Sequence, residues 1–203
     1  MCNPECKKLR CISCQLHCEL LPVPTLHSHQ CLERQYCIWP NDNNFLNEGV
    51  ASLLLSPDIN VLGSGFIFVD FSFHNLALFS NSDWIAYLSQ STLRLALVTD
   101  SRMEALATYW QRHCPAITTV LYSDNDRNVI FGKIKKAIIG LQTKETCRKK
   151  LTEYEMSVLQ RLLRGIAVKD ICHELEANRN SIYNVIRSLK NKLGGSLYHL
   201  QTH

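Results

Sequence analysis

Short apolar runs alternate with amphipathic stretches through the middle of the chain. Tyr36-Cys37-Ile38-Trp39 is one such run, followed by helical spacing from Phe45 to Leu55. Phe66-Ile67-Phe68-Val69-Asp70 is an unbroken apolar run that ends on an acid, and Leu95 to Thr99 is another. Runs of this length predict strands covered on both faces. Arg102 to His113 has the period of a helix, Ile117 to Tyr122 that of a further strand. Val129 to Leu141 predicts a helix with Ile130, Ile134, Ala137, Ile138 and Leu141 turned inward. Strands alternating with helices predict an α/β unit with a parallel sheet over residues 36–142. The polar stretch 143–150 has no apolar period and is expected to be a linker.

Beyond it the pattern becomes wholly helical. Leu151-Thr152-Glu153-Tyr154-Glu155 opens with a capping box, in which Thr152 and Glu155 serve each other's backbone N–H. Val158, Leu159, Leu162 and Leu163 recur at helical spacing, and Gly165 supplies a left-handed stop. A second helix is predicted from Val168 to Leu175, a turn at Glu176-Ala177-Asn178 with Asn178 as N-cap, and a third helix from Arg179 to Leu193. The third helix buries Ile182, Val185, Ile186, Leu189 and Leu193 and turns Tyr183, Asn184, Arg187, Lys190 and Asn191 elsewhere. Two helices about a tight turn, the second longer and polar on one side, form a helix-turn-helix. The expected fold class is therefore an α/β parallel-sheet domain followed by an all-α helix-turn-helix domain over residues 151–203.

Charge sharpens this division. The net charge is +4, but residues 144–203 hold 11 Lys and Arg against 6 Asp and Glu, whereas residues 1–143 hold 11 against 12. The positive excess sits wholly in the helical end, as expected where one end meets a polyanion. Amide, guanidinium and phenol groups on the third helix suit base edges, and Lys169, Arg179, Asn180, Ser181, Lys190 and Lys192 suit phosphates. The longest apolar stretch, Val61 to Phe73, is too short to span a bilayer and carries Asp70. MCNPECKKLRC at the start lacks the apolar core of a secretory signal, so a cytoplasmic location and no membrane partner are expected. The chain has 8 Gly and no nucleophile elbow, phosphate-binding Gly loop or HExxH pair, which argues against an enzyme.

The run LTEYEMSVLQRLLRGIAVKDICHELEANRNSIYNVIRSLKNKLG resembles the LuxR-type (NarL/FixJ) DNA-binding domain without a gap. The likeness rests on Leu151-Thr152, Glu155, Val158-Leu159, Gly165, Lys169, Ile171, Leu175, Asn184 and Lys192-Leu193-Gly194. Ser181-Ile182 stands where that family has Thr-Val. The resemblance implies double-stranded DNA as partner, base reading by Tyr183, Asn184 and Arg187, and phosphate contacts from Lys169, Arg179, Ser181 and Lys190. Val185 and Tyr183 replace a His and a Lys common in the family, so the DNA sequence read is not transferable. Only Ser196 to His203 stands for the family's fourth helix, a dimer element. The shortened helix weakens the case for dimerisation through this domain, and a homodimer or a heterodimer with another LuxR-type regulator is left open.

The order of elements over 36–142, with Asn41-Asp42 ahead of a first helix, resembles a response-regulator receiver. Receiver chemistry needs an acceptor carboxylate, acids for a divalent cation, a Ser/Thr and a Lys. The likeness puts the acceptor at Asp70, an acid at Asp42 and the hydroxyl at Thr99. The Lys is missing, since Tyr122-Ser123-Asp124-Asn125-Asp126 follows the last strand. Only Ser64-Gly65 separates Ile59–Gly63 from Phe66, too few residues for a parallel crossover. A degenerate receiver, not switched by aspartyl phosphorylation, is expected.

Seven of the ten cysteines fall within residues 1–37, a Cys-rich extension expected over 1–35. Cys11-x-x-Cys14 is a common thiolate pair, flanked by Cys6 and Cys18, with His17, His27 and His29 near in sequence. These four cysteines could hold zinc or an iron–sulfur cluster. The chain is thus expected to be a sequence-specific DNA-binding transcription regulator, with an accessory heterodimerising regulator or a thiol- or metal-based sensor as alternatives.

Overall fold

The computed structural model describes residues 7–13, 18–23, 36–54, 65–143 and 149–194. Ile59–Leu62, the core of the linker, and the remnant of a fourth helix at 196–203 lie outside these residues, as do Cys6 and Cys14.

Six strands form one sheet. They are β1 (Leu9–Cys11), β2 (Glu19–Leu20), β3 (Tyr36–Trp39), β4 (Phe66–Phe71), β5 (Arg94–Thr99) and β6 (Ile117–Tyr122). Their spatial order is β2-β1-β3-β4-β5-β6. From β3 to β6 the pairing is parallel, as the unbroken apolar runs predict. The sheet as a whole is mixed, which corrects the expectation of a purely parallel one. β1 pairs antiparallel with both β2 and β3. All four residues of β3 are buried, so its outer backbone edge needs hydrogen-bond partners. The segment expected to be an extension supplies them, with Leu9 and Cys11 turned to the core and Arg10 half-exposed.

Helices cover both faces. α1 (Asn44–Leu54) and α4 (Arg127–Ile138) lie over one face, where Val50, Phe131, Ile134 and Ala137 meet Tyr36, Ile38, Phe66, Phe68, Ala96 and Leu121. Leu141, predicted inward, is exposed, because the helix stops at Ile138. Over the other face lie a 3-10 segment (Phe73–Ser80), α2 (Asp83–Leu88) and α3 (Glu104–His113). The 3-10 segment and α2 together make the crossover from β4 to β5. They bring Trp84 into a nest of rings: Trp39 stacks at 6.5 Å, while Phe79 and Trp110 meet it edge-on at 5.3 and 6.0 Å.

α5 (Glu153–Leu163), α6 (Val168–Glu174) and α7 (Arg179–Leu193) follow, close to the predicted bounds. Their apolar side chains join the core on the α3 face, so that Trp110, Met156, Leu159, Ile182 and Leu189 belong to one continuous cluster. No helix among the described residues is long and apolar enough to cross a membrane.

Candidate nucleic-acid interface

The three C-terminal helices begin and end where local chemistry dictates. Thr152 Oγ1 accepts from the Glu155 N–H at 3.1 Å, and the Thr152 N–H donates to Glu155 Oε2 at 2.8 Å, completing the capping box. Gly165 follows α5 with φ of 75°, a conformation in which a β-carbon costs energy. Two residues past α6, Glu176 stands at φ of 48°, the left-handed step that turns the chain toward α7. Asn178 then caps α7 by accepting from the Asn180 N–H at 3.0 Å. Arg161 ties α5 to α6 through Glu174 at 2.7 Å.

α7 is sharply two-sided. Ile182, Ile186, Leu189 and Leu193 are buried, and Val185 is half-buried. Tyr183, Asn184 and Arg187 are exposed together on the opposite side. Arg179 lies over the Tyr183 ring at 5.6 Å and donates to its hydroxyl at 3.4 Å, which raises the guanidinium pKa further. Lys169, Arg179 and Ser181 are exposed around this stripe, while Lys190 is half-buried.

Lys192 does not belong to the stripe. Its ammonium donates to both Glu155 oxygens at 2.6 and 2.7 Å and to the Lys150 carbonyl at 2.7 Å. Ser188 Oγ adds a fourth bond to the site, donating to Glu155 Oε1 at 2.6 Å. Burial pushes the Glu155 carboxyl up, but the Lys192, Ser188 and Thr152 bonds outweigh that and hold it below the usual carboxylate range. Lys192 is therefore a strut between α5 and α7, not the phosphate contact its charge suggests.

The helical unit is aimed by the α/β body. Tyr109 Oη donates to Glu153 Oε2 at 2.8 Å, and His113 Nε2 lies 2.8 Å from Glu153 Oε1, joining α3 to the first turn of α5. Tyr109 is pushed up to about 12 by burial, then by its bond to the Glu153 carboxylate and that charge. Beyond the last residue of α7, a β-carbon at Gly194 would meet Arg102 Cγ, ahead of α3, at 3.4 Å. Nothing in the sequence signals these contacts, because the partners lie 40 or more residues apart.

The receiver-like residues do not converge. Asp70 is buried at the end of β4, where its carboxylate accepts from Asn43 Nδ2 at 3.1 Å and lies 3.5 Å from His74 Nε2. Asp42 is exposed and paired with Lys7. Thr99 stands opposite Phe71 in the β4–β5 register, while Asp70 stands opposite Val98. By strand alternation Thr99 and Asp70 thus project from opposite faces of the sheet. The Thr99 hydroxyl donates to the Phe71 carbonyl at 2.9 Å. Lys133 is occupied with the Val120 carbonyl at 3.0 Å.

Of the four candidate metal ligands, Cys11 and Cys18 are described: Cys11 ends β1 and Cys18 stands just ahead of β2, with Cys37 on the other side of Cys11. Among the described residues no group of three or more His, Cys, Asp or Glu side chains is arranged to hold a metal ion.

Residues 10–138 match the family model of the EcpR N-terminal domain, from β1 to the last residue of α4. An uncharacterized protein YqeH of Escherichia coli (strain K12) is 34% identical over 194 residues, covering 96% of this chain and 92% of that protein. Two solved structures are similar at low sequence identity. A two-component response regulator RcsB in complex with DNA matches 80% of this chain and 96% of its own, with 15% identity and a TM-score of 0.46. The RcsB response regulator of Salmonella typhimurium matches 79% and 91%, with 16% identity and a TM-score of 0.44.

Proposed function

Starting from the fact that this chain belongs to the EcpR N-terminal domain family, we propose that it is a transcription regulator that reads duplex DNA through α7. One observation carries the reading: Tyr183, Asn184 and Arg187 form an exposed polar stripe on a helix whose other side is locked into the core. Such a stripe on the second helix of a helix-turn-helix suits a major groove, where amide and guanidinium groups pair with base edges. Lys169, Arg179 and Ser181 flank it at positions suited to phosphates. Lys190 is placed at the inner margin and contributes less.

The test is a mobility-shift titration on a duplex selected from a random pool, at several salt concentrations. Replacing Arg187 by Ala weakens the selected site by about 1–3 kcal/mol and relaxes one base position. Replacing Lys169 by Ala weakens all duplexes alike and lowers the salt slope by about one. An unchanged site preference in the Arg187 variant removes that residue from base reading.

We further propose that aspartyl phosphorylation plays no part in switching. Phosphoryl transfer needs charge around the acceptor that matches the developing oxyanions. Asp70 instead meets an amide and an imidazole, with Asp42 and Thr99 engaged elsewhere. Incubation with acetyl phosphate and magnesium is expected to leave the intact mass unchanged. A stable gain of one phosphate on Asp70 defeats this part of the reading and leaves the DNA-reading part standing.

A further inference from the structure

Three cysteines lie in one row across the antiparallel edge of the sheet. Cys11 of β1 is registered opposite Cys37 of β3. On its other side the Cys11 N–H donates to the Cys18 carbonyl at 2.7 Å, which continues the β1–β2 register of Leu9 with Leu20 and Arg10 with Glu19. Residues opposite one another in an antiparallel ladder project to the same face. Accordingly Cys11 and Cys37 are both buried in the apolar cluster of that face, and Cys18 packs against it half-buried. None of the three is joined in a disulfide.

The two neighbouring pairs differ in kind. The Ile12 N–H donates to the Tyr36 carbonyl at 2.7 Å, so Ile12 and Tyr36 form a hydrogen-bonded pair and Cys11 with Cys37 the non-hydrogen-bonded pair beside it. Non-hydrogen-bonded pairs bring the Cα atoms to about 4.5 Å, inside the span that a disulfide requires. Cys11 and Cys37 can therefore be bridged without moving the backbone, yet neither is open to an external oxidant. Cys18, the half-buried member, is.

We propose that the row is a thiol relay, in which a low-molecular-weight disulfide such as glutathione disulfide reacts at Cys18 and the oxidation is stored as a Cys11–Cys37 bond. In the first step the Cys18 thiolate attacks one sulfur of glutathione disulfide, and one glutathione thiolate leaves. The Cys11 thiolate then attacks the Cys18 sulfur, and the second glutathione thiolate leaves. Finally the Cys37 thiolate attacks the Cys11 sulfur and returns Cys18 as a thiolate. Two cysteine thiols are oxidised and one glutathione disulfide is reduced to two thiols, with the thiol protons passing through water to the departing thiolates. The product ties β1 to β3 through the non-hydrogen-bonded pair.

The full chain, reduced and then desalted without oxygen, is incubated with glutathione disulfide, quenched by alkylation and digested without reduction. Fragment ions are expected to join Cys11 to Cys37, at a mass two hydrogens below the sum of the reduced peptides. A Cys18→Ser variant is expected to reach the same bond at least tenfold more slowly. Cys37 alkylated at every time point, or bonded to a cysteine other than Cys11, overturns the proposal. So does an unchanged rate in the Cys18→Ser variant. Stoichiometric zinc that shields Cys11 and Cys18 from alkylation in the reduced protein overturns it as well.

Discussion

Replacing Glu155 by Ala is expected to lower the stability of the protein by about 3 kcal/mol, the scale seen when one partner of a buried ion pair is removed. The carboxylate receives the Lys192 ammonium, the Ser188 hydroxyl and the Thr152 N–H at 2.6–2.8 Å, and it is almost fully buried. Without it the Lys192 charge keeps one carbonyl partner only, and α5 loses half of its capping box. The effect depends on pH in a defined direction. The folded-state pKa lies below the ordinary value of 4.5, so Glu155 contributes its stabilisation above that value. It loses the contribution as the pH falls through the folded-state pKa. Urea unfolding followed by circular dichroism should show the full gap between the two proteins at pH 7. The gap should narrow on acidification below about 4.5, because the natural protein loses an ion pair that the variant never had. A gap that widens toward acid contradicts the assignment.

Trp84 is the second position where a single change has a large expected effect. Its side chain is fully buried between Trp39, Phe79 and Trp110, and it links the sheet, the 3-10 segment and α3. Truncation to Ala empties the centre of that nest and costs about 3–5 kcal/mol. Replacement by Phe is expected to cost much less. Among the described residues the Trp84 indole N–H has no hydrogen-bond partner, so a ring without that donor sacrifices area but no bond. Thermal unfolding of the two variants separates these terms. Equal losses for Ala and Phe imply that the indole N–H has a partner.

What the chain reveals in advance is set by how local the cause is. The capping box at Thr152 and Glu155, the stop at Gly165, the cap at Asn178 and the two-sided α7 all depend on residues within a turn or two of one another. Each stands where local spacing puts it. The parallel strands β3 to β6 were equally legible, because burial on both faces leaves unbroken apolar runs. The two antiparallel strands were not. β1 and β2 are three and two residues long, and their pairing is imposed by the needs of β3 rather than by any period of their own. The stretch from Phe73 to Leu88 also hides, since a 3-10 segment repeats every three residues and shows no α-helical stripe.

The candidate sites divide along the same line. The exposure of Tyr183, Asn184 and Arg187 follows from helical phase alone. The loss of Lys192 to Glu155 is a contact across 37 residues, and charge counting cannot anticipate it. Asp70 and Thr99 each end an apolar run, as a receiver would have them. Whether they face one another depends on the register between β4 and β5, which neither strand encodes by itself. The row of Cys18, Cys11 and Cys37 is likewise a product of register, invisible while only Cys11-x-x-Cys14 stands out by spacing.

The shared core between the sheet and the C-terminal helices has a mechanical meaning. Tyr109 and His113 grip the first turn of α5 while Met156 and Leu159 sink into the same apolar mass as Trp110. The three C-terminal helices are thus welded to the sheet through one apolar mass. Damage deep in the sheet would be felt as a change in how α7 is held.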